Sequence, residues 1–151
     1  MADFKSISLL LLSFFCLLGG VLAETYQLGL GKTYTTMKSV PLLREGDVLE
    51  VYPGTYNEYK YFTSRGTVEN PIIIRGMGKI KPVFDGKGLN VTGAGRIPRA
   101  LFQFAGSNYL VENIEFINAD NDDGNNGAGI RIQAEKISLS VTARSQNART
   151  G

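Results

Sequence analysis

The chain has 151 residues, with 16 lysine and arginine side chains against 14 aspartates and glutamates, for a formal net charge of +2. This near balance, without any basic run, argues against nucleic acid as a partner. Histidine and tryptophan are both absent, which excludes imidazole catalysis and histidine-ligated metals and removes the commonest sugar-stacking side chain.

The first predicted element is a secretory signal peptide over residues 1–23. One early cation precedes an apolar run from Ile7 to Leu22, and small residues lead to Ala23. Signal peptidase cleaves such a layout, and the run is shorter than the ~20 apolar residues of a membrane span. We expect cleavage after Ala23, an extracellular or periplasmic protein and no membrane attachment afterwards. Cys16 would leave with the peptide, so the mature chain would contain no disulfide.

One short helix is predicted within residues 35–45. Apolar residues recur there at roughly helical spacing: Met37, Val40, Leu43 and, less regularly, Leu42. Pro41 has no N–H group and clashes inside a helix, so the helix would begin or break at that residue.

Short strands are predicted between residues 46 and 133. Each segment is rich in β-branched or aromatic residues, and each is bounded by Gly, Asn or Pro. The predicted strands lie within residues 48–51, 71–76, 101–106, 109–118 and 129–133. This pattern predicts an all-β fold.

Pairs of inward apolar positions repeat along these strands. The repeats are Leu49/Val51 with Ile72/Ile74, 23 residues apart, and Phe102/Phe104 with Ile130/Ile132, 28 residues apart. A repeat of this length without a helix is typical of a solenoid, in which each coil buries its apolar residues against the next. The alternative is an antiparallel β-sandwich, but Asn-Gly hairpin turns between matched strands are scarce.

Five stretches together carry a family resemblance: TYTTMKSVPLLREGDVLEVYPGTYNE, NPIIIRGMG, PVFDG, FQFAGSNYLVENIEFINA and GAGIRIQ. Over residues 33–135 they resemble the N-terminal part of right-handed parallel β-helix proteins of the pectate-lyase-like superfamily. The resemblance implies β-helix coils over residues 46–135, with a cap over residues 24–45 that covers the open end. Such segments occur in enzymes and non-enzymes alike, so they predict the fold and leave the activity open.

The resemblance also implies a substrate class, because secreted β-helices of this kind commonly act on acidic polysaccharides. A lyase needs a cation or metal to neutralise the uronate carboxylate and a base, typically Arg or Lys in this superfamily, to remove the neighbouring proton. No catalytic motif of the family is present to which a role can be transferred. The outward cations on strands are Lys60, Arg65, Arg75 and Arg131.

Four residues are the candidate substrate-binding set. Arg131 would point outward between Ile130 and Ile132, and the 28-residue repeat would stack it on Gln103. Tyr59 and Tyr61 would share one face as a sugar-stacking strip, with the next residue facing the core. The alternative is a plain solvated sheet face and an aromatic run that is half core and half surface.

A polar insertion, residues 119–129, is the candidate Ca²⁺ site. Asp120, Asp122 and Asp123 supply the hard oxygen ligands that Ca²⁺ prefers. The segment lacks the Gly and Glu positions of an EF-hand, and a plain loop between coils is the alternative. A separate sequon places a glycosylation site at Asn90 if the chain passes through a eukaryotic secretory pathway.

Residues 136–151 are predicted to form an aberrant or incomplete tail, with one weak strand before a polar, aromatic-free string. We therefore expect the chain to be the N-terminal fragment of a secreted β-helix whose parent is polysaccharide-active and lyase-like, and to be inactive alone. The alternative is a non-catalytic β-helix that binds carbohydrate or serves at a surface. Whether the parent is an enzyme stays open at this point.

Overall fold

The computed structural model describes residues 22–93, 97–119, 127–133 and 138–140. Within these ranges the chain forms eleven strands and no helix. The strands are β1 (Thr25–Leu28), β2 (Val48–Val51), β3 (Thr55–Tyr56), β4 (Lys60–Phe62), β5 (Ile72–Gly76), β6 (Val83–Asp85), β7 (Ala100–Phe104), β8 (Tyr109–Glu112), β9 (Glu115–Ile117), β10 (Ala128–Ile132) and β11 (Ser138–Ser140).

The strands form three parallel sheets. The first sheet has the order β1-β2-β5-β8-β11, the second β3-β6-β9 and the third β4-β7-β10. Every strand pair within them is parallel. From β2 onward, successive strands of the chain lie in different sheets, so each strand pairs with strands that are distant in the sequence. The predicted all-β class is confirmed, and the topology is compatible with a parallel β-helix.

The predicted register is confirmed in the third sheet and wrong in the first. Phe102 lies opposite Ile130, as the 28-residue repeat requires. In the first sheet, however, Leu49 lies opposite Ile74 and not opposite Ile72. A shift of two residues keeps every side chain on the same face of its strand. The apolar alternation therefore fits both registers equally well.

One apolar core joins the three sheets, and it contains a cluster of aromatic rings. The ring of Phe102 lies 4.5 Å from that of Phe84, 5.0 Å from that of Phe116 and 5.2 Å from that of Phe62, measured between centroids. All three contacts are edge-on, a geometry that aromatic pairs favour. Tyr56 is also buried and stacks on Phe84, so the tyrosine-rich segment around it is half core and half surface.

Three asparagines turn the chain at intervals of five residues. Asn108, Asn113 and Asn118 all have a positive φ, between 49° and 56°. Asn tolerates this left-handed conformation better than other non-glycine residues. The Asn108 and Asn113 amides donate to the carbonyls of Gly66 and Gly76, at 2.8 and 2.7 Å. These side chains therefore tie each turn to a much earlier part of the chain.

Replacing Asn113 with alanine is expected to lower the free energy of unfolding by about 2 kcal/mol, because a hydrogen bond is lost and alanine tolerates a positive φ less well than asparagine does. Asn113→Gly keeps the conformation and loses only the hydrogen bond, so we expect about 1 kcal/mol. Urea unfolding followed by circular dichroism measures both. If the glycine variant were no more stable than the alanine variant, the backbone conformation would contribute nothing to the loss, and this explanation would be contradicted.

The predicted helix in residues 35–45 is wrong. Met37, Val40 and Leu43 are all buried, as their spacing predicts, but Leu42 is 72% exposed. The segment forms a turn in which the Ser39 N–H donates to the Thr36 carbonyl at 3.2 Å. The apolar spacing therefore predicts correctly which residues are buried, but the segment has no helical hydrogen bonding.

Side chains from the segment before and within β4 replace the helical hydrogen bonds. The Met37 N–H donates to Glu58 Oε2 at 2.9 Å, and Lys60 Nζ donates to the carbonyls of Met37 and Val40 at 3.0 and 3.4 Å. The backbone groups that a helix would pair are thus satisfied in another way. Lys60, predicted to be an exposed cation, is half-buried, and this burial lowers its pKa.

The predicted C-terminal tail contributes a strand to the first sheet. Ser138 in β11 lies opposite Leu110 in β8, again at an offset of 28 residues. The predicted signal peptide lies outside the described residues except for Leu22 and Ala23. No helix in the described part of the chain is long and apolar enough to cross a membrane.

Candidate ligand-binding cleft

A row of three polar side chains crosses the outer face of the third sheet. Tyr61 in β4 lies opposite Gln103 in β7, and Gln103 lies opposite Arg131 in β10. Neighbouring strands are ~4.8 Å apart, so the three side chains lie next to one another in a line across the strands. This row joins three of the four predicted substrate-binding residues.

The row forms the floor of an open cleft of about 360 Å³. Small-molecule sites usually occupy ~300–1,000 Å³. The cleft is lined by Tyr61, Gly93, Ile97, Pro98, Arg99, Gln103, Arg131 and Gln133. Four of these residues come from the connection between β6 and β7, and they form one wall of the cleft.

Gln103 is held in place by that wall. It lies on the outer face but is only 7% exposed, because the chain just before β7 covers it. The side-chain Oε1 accepts the Arg99 N–H at 2.6 Å. This bond fixes the amide and leaves its –NH₂ group as the donor that can serve a ligand.

Two guanidinium groups line the cleft. Arg131 is exposed on β10, and Arg99 is half-buried against Gly93. Gly93 has a φ of +75°, and a Cβ at this position would lie 2.8 Å from Arg99 Cδ. Neither arginine forms an ion pair with any of the described residues. Within the described part of the chain, no carboxylate therefore competes with an anionic ligand for either charge.

Tyr61 lies at the β4 end of the row. It is 43% exposed, and its hydroxyl donates to Gln133 Oε1 at 3.1 Å. Phe62, the next residue, is buried, as alternation predicts. Tyr59 is 39% exposed but does not line the cleft, so the structure does not place it with the other three predicted residues.

The inward neighbours of Arg131 differ in burial. Ile130 packs against the core, as predicted. Ile132, however, is 40% exposed, although the alternation predicts an inward residue. It lies near the end of β10, which is the last strand of the third sheet, so a described strand packs beside it on one side only.

The other predicted cations lie elsewhere. Arg75 is on the outer face of the first sheet, where its guanidinium pairs with the Glu112 carboxylate of the adjacent strand. Arg65 is exposed and lies opposite Ser107 in an isolated bridge. Arg131 is therefore the only one of the four predicted strand cations that lines the cleft.

The predicted Ca²⁺ ligands Asp120, Asp122 and Asp123 lie outside the described residues. Asn118, just before them, donates its amide to Asp85 Oδ1 at 2.8 Å. This hydrogen bond is the main cause of the lowered pKa of the Asp85 carboxyl. In the described part of the chain, no group of three or more acidic, His or Cys residues could hold a metal ion.

Arg99, Gly93 and Gln133 are cleft residues that the sequence patterns did not select. Gln133 lies two residues after Arg131, so its side chain is expected on the same face of the strand. The alternation could therefore have predicted it. Arg99 and Gly93 lie in a connection that has no periodicity. Comparisons with protein-family models, curated proteins and solved structures find no match to this chain. The candidate site is therefore defined by its own geometry and charge.

Proposed function

We propose that this protein is a secreted right-handed parallel β-helix that binds an acidic polysaccharide in the cleft of the third sheet. The observation that carries the proposal is the row of Tyr61, Gln103 and Arg131 beside Arg99. It combines an aromatic ring, an amide donor and two cations without ion-pair partners among the described residues.

The three parallel sheets support the β-helix. A chain that passes from sheet to sheet and returns to pair in parallel with its earlier strands has the connectivity of a solenoid coil. Parallel strands of one sheet are joined by right-handed connections in almost all proteins, which supports the right hand. The resemblance of residues 33–135 to the pectate-lyase-like superfamily favours the same fold.

The chemistry of the cleft favours a uronic-acid polymer. A guanidinium group binds a carboxylate through two parallel hydrogen bonds, and such charge-assisted bonds are stronger than neutral ones. The Gln103 amide can donate to a hydroxyl, and the exposed Tyr61 ring can pack against the apolar face of a sugar. The cleft is open, which suits a chain that continues beyond the bound residues.

Both expected classes of protein, the lyase-like enzyme and the non-catalytic β-helix, would bind a polysaccharide. In a lyase-like parent, Arg131 and Arg99 would neutralise the uronate carboxylate, and a base would remove the neighbouring proton. In a non-catalytic binding protein the same residues would act without a chemical step. The appearance of unsaturated uronate products, followed by absorbance with and without Ca²⁺, separates the two classes.

The binding proposal is tested with a uronic-acid oligosaccharide and its carboxyl-reduced, neutral counterpart. We expect the mature chain to bind the acidic ligand and to bind it more weakly as salt screens the charges. Arg131→Gln should raise the Kd by about 10- to 100-fold, because a hydrogen bond to a charged group contributes ~1.5–3 kcal/mol. Isothermal titration calorimetry measures the change.

Arg75→Gln is the matched control, since it removes the same charge from the outer face of the first sheet. It should leave the Kd almost unchanged. Equal affinity for the neutral oligosaccharide, or an equal loss in both variants, would contradict the proposed site.

A further inference from the structure

A buried carboxylate lies where the predicted mature chain begins. Asp47 is only 1% exposed and directly precedes β2. Its Oδ1 accepts the Glu24 N–H at 2.9 Å, and its Oδ2 accepts the Arg44 N–H at 2.7 Å. Among the described residues no cationic side chain lies within 4 Å of this carboxylate.

The Glu24 nitrogen is held at this carboxylate by the first sheet. The Val48 N–H donates to the Glu24 carbonyl at 2.9 Å, and Thr25 lies opposite Val48 at the start of the β1–β2 pairing. Strand pairing thus holds the residue that carries this nitrogen. Loss of residues 1–23 removes none of the atoms that make these contacts.

We propose that the pocket at Asp47 is a binding site for the chain's own mature N-terminus. Hydrolysis of the Ala23–Glu24 peptide bond by a signal peptidase consumes one water, which leaves a carboxylate on Ala23 and an ammonium group on Glu24. The neutral amide donor at Asp47 thereby becomes a cation hydrogen-bonded to a buried anion. The proposal rests on the predicted cleavage site and is independent of polysaccharide binding.

The physical reason is the cost of burying an unpaired charge. A carboxylate removed from water is destabilising unless a cation or several hydrogen bonds compensate it. Before cleavage, two backbone N–H groups supply the compensation. After cleavage, the ammonium group adds a full positive charge at the same place, so processing would stabilise the fold.

Among the described residues that line this pocket, the other ionisable groups are the Glu24 carboxylate, the Tyr26 hydroxyl and the Arg44 guanidinium. The Tyr26 hydroxyl donates to Glu24 Oε2 at 2.7 Å, and this bond is the main cause that raises the pKa of Tyr26 to about 12. Tyr26 therefore stays neutral over the pH range in which an amino group titrates.

The expected pH dependence follows from the sign of the pKa change. An α-amino group has an ordinary pKa of ~7.7–8.0, and the adjacent carboxylate favours its charged form, so its pKa is raised in the folded chain. The added stability is fully present below the ordinary pKa. It is lost as the pH rises through the raised pKa.

The test compares chains that begin at Glu24 with a free or an acetylated amino group, each with Asp47 and with Asp47→Asn. NMR titration of a ¹⁵N-labelled Glu24 amine should give a pKa at least about one unit above the ordinary value, a tenfold change in the protonation equilibrium. At pH 6 the free-amine chain should unfold at a higher urea concentration than the acetylated chain. Asp47→Asn should abolish this difference.

An α-amino group that titrates in its ordinary range would overturn the proposal, as would equal urea midpoints for the free and acetylated chains. The titration needs only the chain with Asp47, so it decides the question even if Asp47→Asn does not fold. N-terminal sequencing of the secreted protein gives an independent check. A mature chain that begins at a residue other than Glu24 would also overturn the proposal.

Discussion

Replacing Phe102 with alanine is expected to lower the free energy of unfolding by ~3–5 kcal/mol, as large-to-small substitutions of buried aromatic residues do. The Phe102 side chain is fully buried and touches aromatic rings from the second and third sheets. Alanine would leave a cavity where the sheets meet, and the rigid rings around it can relax only in part. Urea unfolding followed by far-UV circular dichroism measures the loss.

Ile80→Ala is the control, because this side chain is 74% exposed and surface substitutions usually change stability by less than about 0.5 kcal/mol. The loss of unfolding free energy in Phe102→Leu should lie between the losses in Phe102→Ala and Ile80→Ala, because leucine keeps apolar volume without the ring contacts. This variant also keeps the prediction testable if the alanine variant does not fold. Equal unfolding midpoints for Phe102→Ala and Ile80→Ala would contradict the common core.

Gly76→Ala should cost about 3 kcal/mol or more, at or above the upper end of overpacking effects. A Cβ at Gly76 would overlap the Asn113 carbonyl oxygen and lie 2.8 Å from both the Asn113 carbonyl carbon and Pro82 Cδ. The nearest of these atoms belong to backbone and cannot rotate away. The substitution would push apart β5 and the chain just after β8, directly beyond the last pair of these strands, Arg75 and Glu112.

Gly54→Ala is the matched control, since a Cβ there would make only ordinary contacts of 3.6 Å with the Tyr56 ring. We expect it to leave the unfolding midpoint nearly unchanged. The two variants together thus distinguish the effect of a steric overlap with the backbone from the general effect of replacing a glycine. Similar midpoints for Gly76→Ala and the native chain would contradict the approach of these two strands.

The strand pattern was predictable because β-branched and aromatic residues alternate clearly in the central segments. Val48–Val51 was predicted with its observed bounds, and the segment over 109–118 is interrupted only where Asn113 turns the chain between β8 and β9. The register of β2 on β5 was not predictable from alternation. Its two-residue shift changes no side chain from one face to the other.

The segment before Gly46 shows where periodicity misleads. Met37, Val40 and Leu43 have the spacing of a helical face, and all three are buried. Their backbone groups are nevertheless bound by side chains from residues about 20 positions later. A local pattern contains no information about such distant partners, so burial was predicted correctly and conformation was not.

The candidate site was predictable in part for the same reasons. Strand parity and the 28-residue repeat placed Arg131 beside Gln103, and the structure has this register. Arg99 comes from the connection before β7, where nothing in the spacing indicates that the chain folds back over the sheet. The hydrogen bond from its N–H group to Gln103 and its place in the cleft lining show that Arg99 belongs to the site.

The central claim is that Tyr61, Gln103 and Arg131 form one row because β4, β7 and β10 pair in parallel. NMR scalar couplings across hydrogen bonds test this pairing directly. The claim predicts couplings from the Ala105 amide to the Phe62 carbonyl and from the Gln133 amide to the Phe104 carbonyl, both 2.8 Å hydrogen bonds. Couplings from these amides to carbonyls of an adjacent antiparallel strand would contradict it.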